Sequence, residues 1–185
     1  ELGINSVMFD GSSLDFEENV EKTTKVVQMA HDCGATAEGE VGIVPHGTAS
    51  VSQAEMTDPA RAVEFAERTG VDFLAVSLGS VHGMKSAATS LDQGLLQQLH
   101  EQIPVPLVLH GASGVLDDQI AAAIENGIRK INVNTGLKVV LKSFLSSRLT
   151  EEPETDLLED FEQGIDAVSH SVAARMRLFG SSNRV

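Results

Sequence analysis

Two histidines at the ends of apolar runs are the residues of this chain best suited to metal chemistry. His82 ends the run 76–82, His110 ends the run 107–110, and glycine follows each of them. Strand ends form the face on which β/α barrels carry out chemistry, and imidazole is the commonest transition-metal ligand in proteins. Twenty-eight residues separate the two histidines, the length of one β/α unit, which predicts neighbouring strand ends and a shared zinc ion. The alternative is that both are buried, hydrogen-bonded histidines.

The other four histidines are weaker candidates for a metal site. A catalytic zinc usually has three protein ligands, and no third ligand is obvious here. His46 lies in a predicted loop and is the one histidine that could swing into the site. Helical periodicity surrounds His31, His100 and His170, which predicts that these three lie on the surface.

Three carboxylates also fall at predicted strand ends. Glu38 and Glu40 are two residues apart, so the period of a strand turns both to the same side. A buried glutamate at such a position would support a metal ligand or serve as an alternative ligand. Asp10 is followed by Gly-Ser-Ser, so a turn or a helix N-cap is an equally good interpretation for it.

Two loops of small and amide residues offer a place for a phosphate group. Gly111-Ala112-Ser113-Gly114 precedes a helix that starts near Asp117, and residues 132–136 (NVNTG) follow the last predicted strand. Backbone N–H groups before a helix N-terminus bind anions, and the loops after the last two strands are the usual phosphate site of a β/α barrel. A tight turn without a ligand is the alternative for the first loop.

Strands and helices alternate along the whole sequence. Near-continuous apolar strands between helices indicate a parallel sheet covered on both faces. Chemistry at several strand ends favours a TIM (β/α)8 barrel over an open, doubly wound sheet, and the chain supplies about the last five of the eight β/α units. We predict one partial barrel domain over 1–185, with strands at 6–10, 36–42, 72–78, 106–110 and 130–134 and helices at 17–33, 59–68, 91–102, 117–126, 137–148 and 156–179.

Composition restricts the partners. The net charge of −14 argues against nucleic acid, because no basic stripe is present to neutralise phosphates. No apolar run approaches the ~20 residues of a membrane span, and no signal peptide is recognisable. The single cysteine, Cys33, fits a reducing compartment, so we expect a cytoplasmic protein.

Five motifs in one order resemble the C-terminal two-thirds of the class II, zinc-dependent ketose-bisphosphate aldolases, the fructose- and tagatose-bisphosphate group. The motifs are residues 6–12 (SVMFDGS), 38–42 (EGEVG), 80–83 (SVHG), 109–114 (LHGASG) and 130–135 (KINVNT). The resemblance implies a zinc ion, in some members a monovalent cation at the phosphate, and a homo-oligomer, often a dimer.

The resemblance also implies roles for individual residues. His82 and His110 would be two of three zinc ligands, with Asp10 and Glu40 as alternative or supporting ligands. Asn132 would lie near the reacting carbon of the dihydroxyacetone-phosphate half. The remaining substrate-binding positions would hold one phosphate; they are Gly83, Gly111, Ser113, Asn134 and Thr135.

Two family features are not found in this sequence. In the family, the aspartate that acts as general acid/base and a third zinc histidine lie on a strand before the position that matches Glu1, and we expect them outside these residues. The family's acidic mobile loop is here residues 44–50 (VPHGTAS), which contain no carboxylate. This chain therefore offers no identified acid/base residue.

The resulting prediction is a lyase that cleaves a ketose 1,6-bisphosphate, fructose or tagatose, to dihydroxyacetone phosphate and glyceraldehyde 3-phosphate through a zinc-stabilised enediolate. Gly83-Met84 and the 110–114 motif look slightly more like tagatose-bisphosphate members. The alternative is a catalytically silent partial barrel or subunit that binds a sugar phosphate or a partner protein.

Overall fold

Five parallel strands form one sheet in the order β1-β2-β3-β4-β5. The structure is a computed structural model that describes residues 3–47, 56–84 and 89–184. The strands are β1 (Ser6–Phe9), β2 (Thr36–Val41), β3 (Phe73–Val76), β4 (Leu107–Leu109) and β5 (Ile128–Ile131). The α-helices are α1 (Phe16–Asp32), α2 (Pro59–Thr69), α3 (Gln93–Gln102), α4 (Asp117–Glu125), α5 (Thr135–Glu151) and α6 (Leu157–Leu178), and a short 3-10 helix covers Ala112–Gly114.

The sequential strand order distinguishes between the two predicted architectures. Each strand pairs in parallel with the next one along the chain, for example Ser6 with Thr36 and Leu74 with Leu107. An open, doubly wound sheet reverses its strand order at a switch point, whereas a β/α barrel does not. The predicted parallel α/β architecture, with five units in barrel order, is therefore confirmed.

The ends of several elements differ from the predicted ones, and local hydrogen bonding explains the shifts. The strand predicted at 130–134 is Ile128–Ile131, because the turn at Gly127 ends just before Ile128 and the chain leaves the sheet at Asn132. The helix predicted at 137–148 is Thr135–Glu151, and the one predicted from 91 begins at Gln93. Asp92 caps that helix by accepting a hydrogen bond from the Leu95 N–H at 2.9 Å.

Helix α2 shows how the sequence fixes an element at both ends. The Asp58 carboxylate accepts a hydrogen bond from the Arg61 N–H at 2.9 Å, and Pro59 occupies the first helical position. At the other end, Gly70 adopts φ +68° and donates its N–H to the Ala66 carbonyl. This places Phe65, which is fully buried, against the sheet.

Gly39 lies in β2 beneath side chains of α1 and α2. Since Glu38 and Glu40 face one side of the strand, Gly39 faces the other. A Cβ atom built there would lie 2.9 Å from Phe65 Cε1, 3.0 Å from Val71 Cγ1 and 3.1 Å from Thr23 Cγ2. The missing side chain thus lets the helical layer pack directly on the strand that carries both glutamates.

We expect Gly39→Ala to lower the free energy of unfolding by about 2 kcal/mol, because the added methyl group overpacks a buried contact. The measurement is urea unfolding followed by circular dichroism. Gly94→Ala is the matched control: Gly94 lies in α3, its Cβ would meet only Asp92 Oδ1 at 3.5 Å, and alanine favours a helix. Equal stability of Gly39→Ala and the native protein would contradict this packing.

Helices α5 and α6 form a hairpin beside the sheet. No residue of α5 is buried, and in α6 only Asp160 and Gly164 are. Gly164 allows close contact with Leu141 of α5, and Arg148 Nε donates to Asp160 Oδ1 at 3.0 Å. No helix in the described part of the chain combines the length and apolarity required to cross a membrane.

Candidate active site

A cleft of about 430 Å³ opens at the carboxyl ends of the strands. Its walls come from the segments that follow β2, β3, β4 and β5, so it uses four successive units of the fold. Both predicted zinc histidines and all six predicted substrate-binding residues line it. The lining residues are His46, His82, Gly83, His110, Gly111, Ser113, Asn132, Asn134, Thr135 and Lys138.

His110 lies at the base of this cleft between the two glutamates of β2. Its Nε2 is 2.9 Å from Glu38 Oε1, and its Nδ1 is 3.2 Å from Glu40 Oε2. A carboxylate can only accept, so the Nε2–H of His110 donates to Glu38. All three side chains are at most 5% exposed. The predicted common side of Glu38 and Glu40 is confirmed, and each contacts a different ring nitrogen.

The two carboxylates control the protonation of His110. Burial lowers the pKa of His110, but its hydrogen bond to Glu38 and the adjacent Glu40 carboxylate outweigh burial and raise the pKa to about 9. Burial raises the pKa of Glu38, and the contacts with His110 and Lys130 outweigh that effect, so the net pKa lies below the ordinary value. His110 therefore compensates buried negative charge as an imidazolium when no metal is bound.

His82 has the opposite character. Burial lowers the pKa of His82, and the neighbouring His110 and His46 lower it further, against a weaker opposing effect of Asp10. The ring centroids of His82 and His110 are 5.8 Å apart. His82 is therefore a neutral imidazole at physiological pH, the form that offers a lone pair to a metal.

His46 is brought beside His82 by main-chain pairing. The His82 N–H donates to the Pro45 carbonyl at 2.8 Å, and the Gly47 N–H donates to the His82 carbonyl at 3.0 Å. The two rings stack with centroids 4.9 Å apart. The candidate third histidine is thus next to the pair in the structure, whereas residues 48–50 of the same predicted loop lie outside the described residues.

Lys130 links two of the groups around His110. Its Nζ is 2.8 Å from Glu38 Oε2 and donates to Asn132 Oδ1 at 2.6 Å. These contacts fix which way the Asn132 amide points, because the oxygen must face the ammonium group. The Asn132 Nδ2 then lies 3.0 Å from His110 Nε2, and because that nitrogen already donates to Glu38, this is a contact between two donors and not a hydrogen bond.

The loop after β4 requires glycine at its first position. Gly111 has φ +69°, and a Cβ there would lie 2.9 Å from the Val81 carbonyl oxygen. This close approach joins the loop that carries His110 to the one that carries His82. Two residues further on, the Ser113 hydroxyl accepts a hydrogen bond from the Gly136 N–H at 3.0 Å. The two predicted phosphate loops therefore touch each other.

The N-terminus of α5 supplies the opposite wall of the cleft. Thr135 begins this helix of 17 residues, Asn134 precedes it, and Lys138 lies in its first turn. A cation in the first turn of a helix is destabilised by the positive end of the helix dipole unless an anion is bound nearby. The helix N-terminus, Lys138 and the Ser113 loop together form a surface suited to a phosphate, even though the chain carries a strong negative charge.

Asp10 lies apart from the histidine contacts. Its carboxylate accepts hydrogen bonds from the Ser12 N–H at 3.0 Å and the Ser12 hydroxyl at 2.7 Å. Asp10 therefore forms the turn with Ser12 that was the alternative interpretation of this residue. The negative charge of Asp10 still acts on His82, because it raises the pKa of His82 and so partly offsets the effects that lower it.

The donor chemistry of the site fits a zinc ion. Glu40 Oε2 is buried, and its 3.2 Å contact with His110 Nδ1 is an ion pair that lacks the geometry of a hydrogen bond. An unsatisfied buried carboxylate oxygen with two imidazoles nearby is a ligand set that zinc accepts. Within the described ranges, no three His, Cys, Asp or Glu side chains already surround one point in a way that could hold a metal ion. These residues therefore provide the types of ligand but not a complete coordination shell.

Two residues of the site were not predicted as site residues, Lys130 and Lys138. Glu38 was predicted as a strand-end carboxylate that could support a metal ligand, but not as the partner of His110 Nε2. Two signals were present in the sequence: Lys130 belongs to a predicted strand, and Lys138 lies in the first turn of a helix, where the dipole disfavours a cation.

A family model described as "Fructose-bisphosphate aldolase class-II" matches residues 1–184. Among curated proteins, the "Sulfofructosephosphate aldolase" of Alkalicoccus urumqiensis is 38% identical over 189 residues, which cover 100% of this chain and 66% of the relative. The chain thus spans just under two thirds of that relative's length.

Solved structures show the same architecture. The YdjI aldolase of Escherichia coli K12 is 36% identical and superposes with a TM-score of 0.83, over 98% of this chain and 63% of the other. The fructose-bisphosphate aldolase of Campylobacter jejuni is 21% identical and superposes with a TM-score of 0.77, over 95% of this chain and 60% of the other. At this identity the comparison shows that the two folds are similar. The five units described above are therefore part of a TIM barrel.

Proposed function

Because the chain belongs to the class II fructose-bisphosphate aldolase family, we propose that the protein cleaves and forms a carbon–carbon bond of a ketose phosphate with the help of zinc. The observation that carries this proposal is the convergence of His82, His110 and Glu40 Oε2, a buried carboxylate oxygen that has no hydrogen bond, beside the Ser113 loop and the start of α5. The general acid/base aspartate and a third histidine are expected from the part of the barrel outside these residues.

We assign zinc to His82 and His110, with Glu40 as a supporting or alternative ligand. When bound, zinc supplies positive charge that polarises the ketose carbonyl and stabilises the oxygen on which negative charge develops. Glu38 orients the His110 ring through Nε2 and leaves Nδ1 as the nitrogen for the metal. Asn132, held by Lys130, directs its amide hydrogens into the cleft, where it can donate to a substrate oxygen.

One phosphate of the substrate binds between the Ser113 loop and the start of α5. Gly83 and Gly111 both have positive φ and present main chain to the cleft, and Thr135 begins the helix. Backbone N–H groups, the Ser113 hydroxyl and the Lys138 ammonium hold the anion locally. A monovalent cation at this phosphate, as in some members of the family, is part of the proposal.

The substrate is proposed as fructose or tagatose 1,6-bisphosphate, with dihydroxyacetone phosphate and glyceraldehyde 3-phosphate as products. A second candidate is supported by the 38% identical relative, whose name gives a sulfofructose phosphate as its substrate. The two candidates share the ketose phosphate end, which the cleft above would bind. They differ at the far end of the sugar, where a sulfonate would replace a phosphate.

Cleavage assays on the full-length protein test this proposal. Fructose and tagatose 1,6-bisphosphates and sulfofructose phosphate are each offered before chelation, after chelation, and after zinc is restored. We expect activity that disappears with the chelator and returns with zinc, and the kcat/KM values rank the three substrates. A folded, zinc-loaded protein without activity on any of them would instead support a catalytically silent barrel that binds sugar phosphate.

Ser113→Ala should raise KM for the phosphorylated substrate about tenfold and change kcat little. The hydroxyl would bind the phosphate equally well in the ground state and in the transition state, so its loss weakens binding without slowing the chemical step. Steady-state kinetics give both parameters. Ser143→Ala is the matched control: Ser143 lies exposed on α5, away from the cleft. A lower kcat at unchanged KM would contradict a role for Ser113 in phosphate binding.

A further inference from the structure

His46 lines the cleft but holds neither zinc nor phosphate in the function proposed above. It is paired in parallel with His82, so the segment after β2 runs beside the segment after β3. Directly paired residues turn their side chains to the same side of a sheet, which explains why the two imidazoles stack. The ring is exposed on the cleft, and the main-chain hydrogen bonds of Pro45 and Gly47 hold it there.

The stacked arrangement is unsuited to a third zinc ligand. Zinc binds an imidazole through the lone pair in the plane of the ring, with the nitrogen about 2.0–2.1 Å away. The ring planes of His46 and His82 are inclined by only 27°, so their lone pairs run side by side and do not converge on one ion. The planes of His82 and His110 are inclined by 56°. Within the described ranges, these three histidines do not surround a point that could hold a metal ion.

The order of the strands places His46 on the far side of the zinc histidines from the proposed phosphate site. That site lies between the Ser113 loop, after β4, and the start of α5, after β5. His82 and His110 follow β3 and β4, and His46 follows β2. A ketose phosphate with its phosphate at the β5 side and its carbonyl at the two histidines therefore extends toward His46. The part of the sugar that reaches it is the half beyond the bond that is cleaved.

An imidazole is a suitable partner for the hydroxyl groups of that half. In its neutral form the ring offers one N–H donor and one acceptor nitrogen, and a hydroxyl group also donates and accepts. Stacking on His82 occupies a face of the His46 ring and leaves its edge, which carries both nitrogens, open. The ring is thus held in the cleft by its neighbour while its polar atoms remain available to a ligand.

We propose that His46 is a substrate-binding residue that donates a hydrogen bond to a hydroxyl oxygen of the aldehyde half of the sugar. This inference rests on the proposed function. It divides the cleft between the two products, because dihydroxyacetone phosphate ends at the reacting carbon and does not reach His46, whereas the aldehyde does. The stack with His82 positions the ring beside the metal site without making His46 a ligand.

Condensation kinetics of the full-length, zinc-loaded protein test the two halves separately. The aldehyde is the one released from the best substrate in the cleavage assay. We expect His46→Phe, which keeps an aromatic ring for the stack, to raise KM for the aldehyde about tenfold. KM for dihydroxyacetone phosphate and the zinc dissociation constant should stay within about twofold of the native values. His46→Gln keeps a donor and an acceptor and should recover most of the loss. His170→Phe, exposed on α6, is the matched control.

Four other results would overturn the inference. An unchanged KM for the aldehyde in His46→Phe would show that His46 does not contact this half, and an equal rise in both KM values would show a general disturbance of the cleft. A zinc dissociation constant raised tenfold or more would identify His46 as a third ligand. A native protein that neither cleaves nor condenses would refute the proposed function, and this inference with it. Circular dichroism confirms that each variant is folded.

Discussion

His110→Ala in the full-length protein should reduce cleavage at least about 1,000-fold and abolish stoichiometric zinc binding. The variant loses a proposed ligand and also the positive group between two buried carboxylates. Removing one partner of a buried ion pair costs about 3 kcal/mol, so we also expect a less stable metal-free protein. The measurements are zinc content, turnover with each ketose phosphate, and thermal unfolding.

Two further variants separate the loss of the ligand from the loss of stability. His110→Gln keeps an amide donor near Glu38, and we expect it to be more stable than His110→Ala but equally inactive. His100→Ala is the histidine control, because His100 is exposed on α3 and does not line the cleft. Full turnover in either His110 variant would contradict the assignment of this residue to zinc.

Lys130→Met should weaken zinc binding about 10- to 100-fold, although Lys130 is not itself a proposed ligand. The lysine holds Glu38, which orients the His110 ring, and it fixes the Asn132 amide. Without Lys130, Glu38 stays buried with one fewer partner, and the side-chain amide of Asn132 is free to flip. A metal-indicator competition assay gives the zinc dissociation constant, and steady-state kinetics show how far KM and kcat change together.

The neighbouring residue offers a control for Lys130. Arg129 donates to the main-chain carbonyls of Ile124 and Ile128 and does not contact the cleft. We expect Arg129→Met to keep the zinc dissociation constant within about twofold of the native value, and Lys130→Arg to recover part of the loss in Lys130→Met. Native zinc affinity in Lys130→Met would show that Glu38 and Asn132 hold their positions without it.

The main features of the site could be predicted because they depend on local patterns. A histidine followed by glycine at the end of an apolar run, as at His82 and His110, can be recognised from a few consecutive residues. The same holds for the caps of α2 at Asp58 and Gly70. The family resemblance extended these patterns to the phosphate-binding positions, and all of those positions line the cleft.

The contacts around His110 could not be predicted in the same way, because they depend on the register of the sheet. Period-two spacing places Glu38 and Glu40 on one side of β2, but it does not show which ring nitrogen each would reach. Lys130 of β5 contacts Glu38 of β2 although the two strands are three positions apart in the order of the sheet. Lys130 and Glu38 are about 90 positions apart in the sequence, so their contact cannot be predicted from a pattern of neighbouring residues.

The sequential pairing of the strands has a consequence for how the protein is made. Each strand finds its partner in the unit synthesised just before it, as Thr36 does with Ser6 and Ile128 does with Leu107. A nascent chain can therefore extend the sheet one unit at a time as it leaves the ribosome. His82 and His110 leave the ribosome before the start of α5 does. Of these described parts of the cleft, the phosphate-binding end is consequently the last to be synthesised.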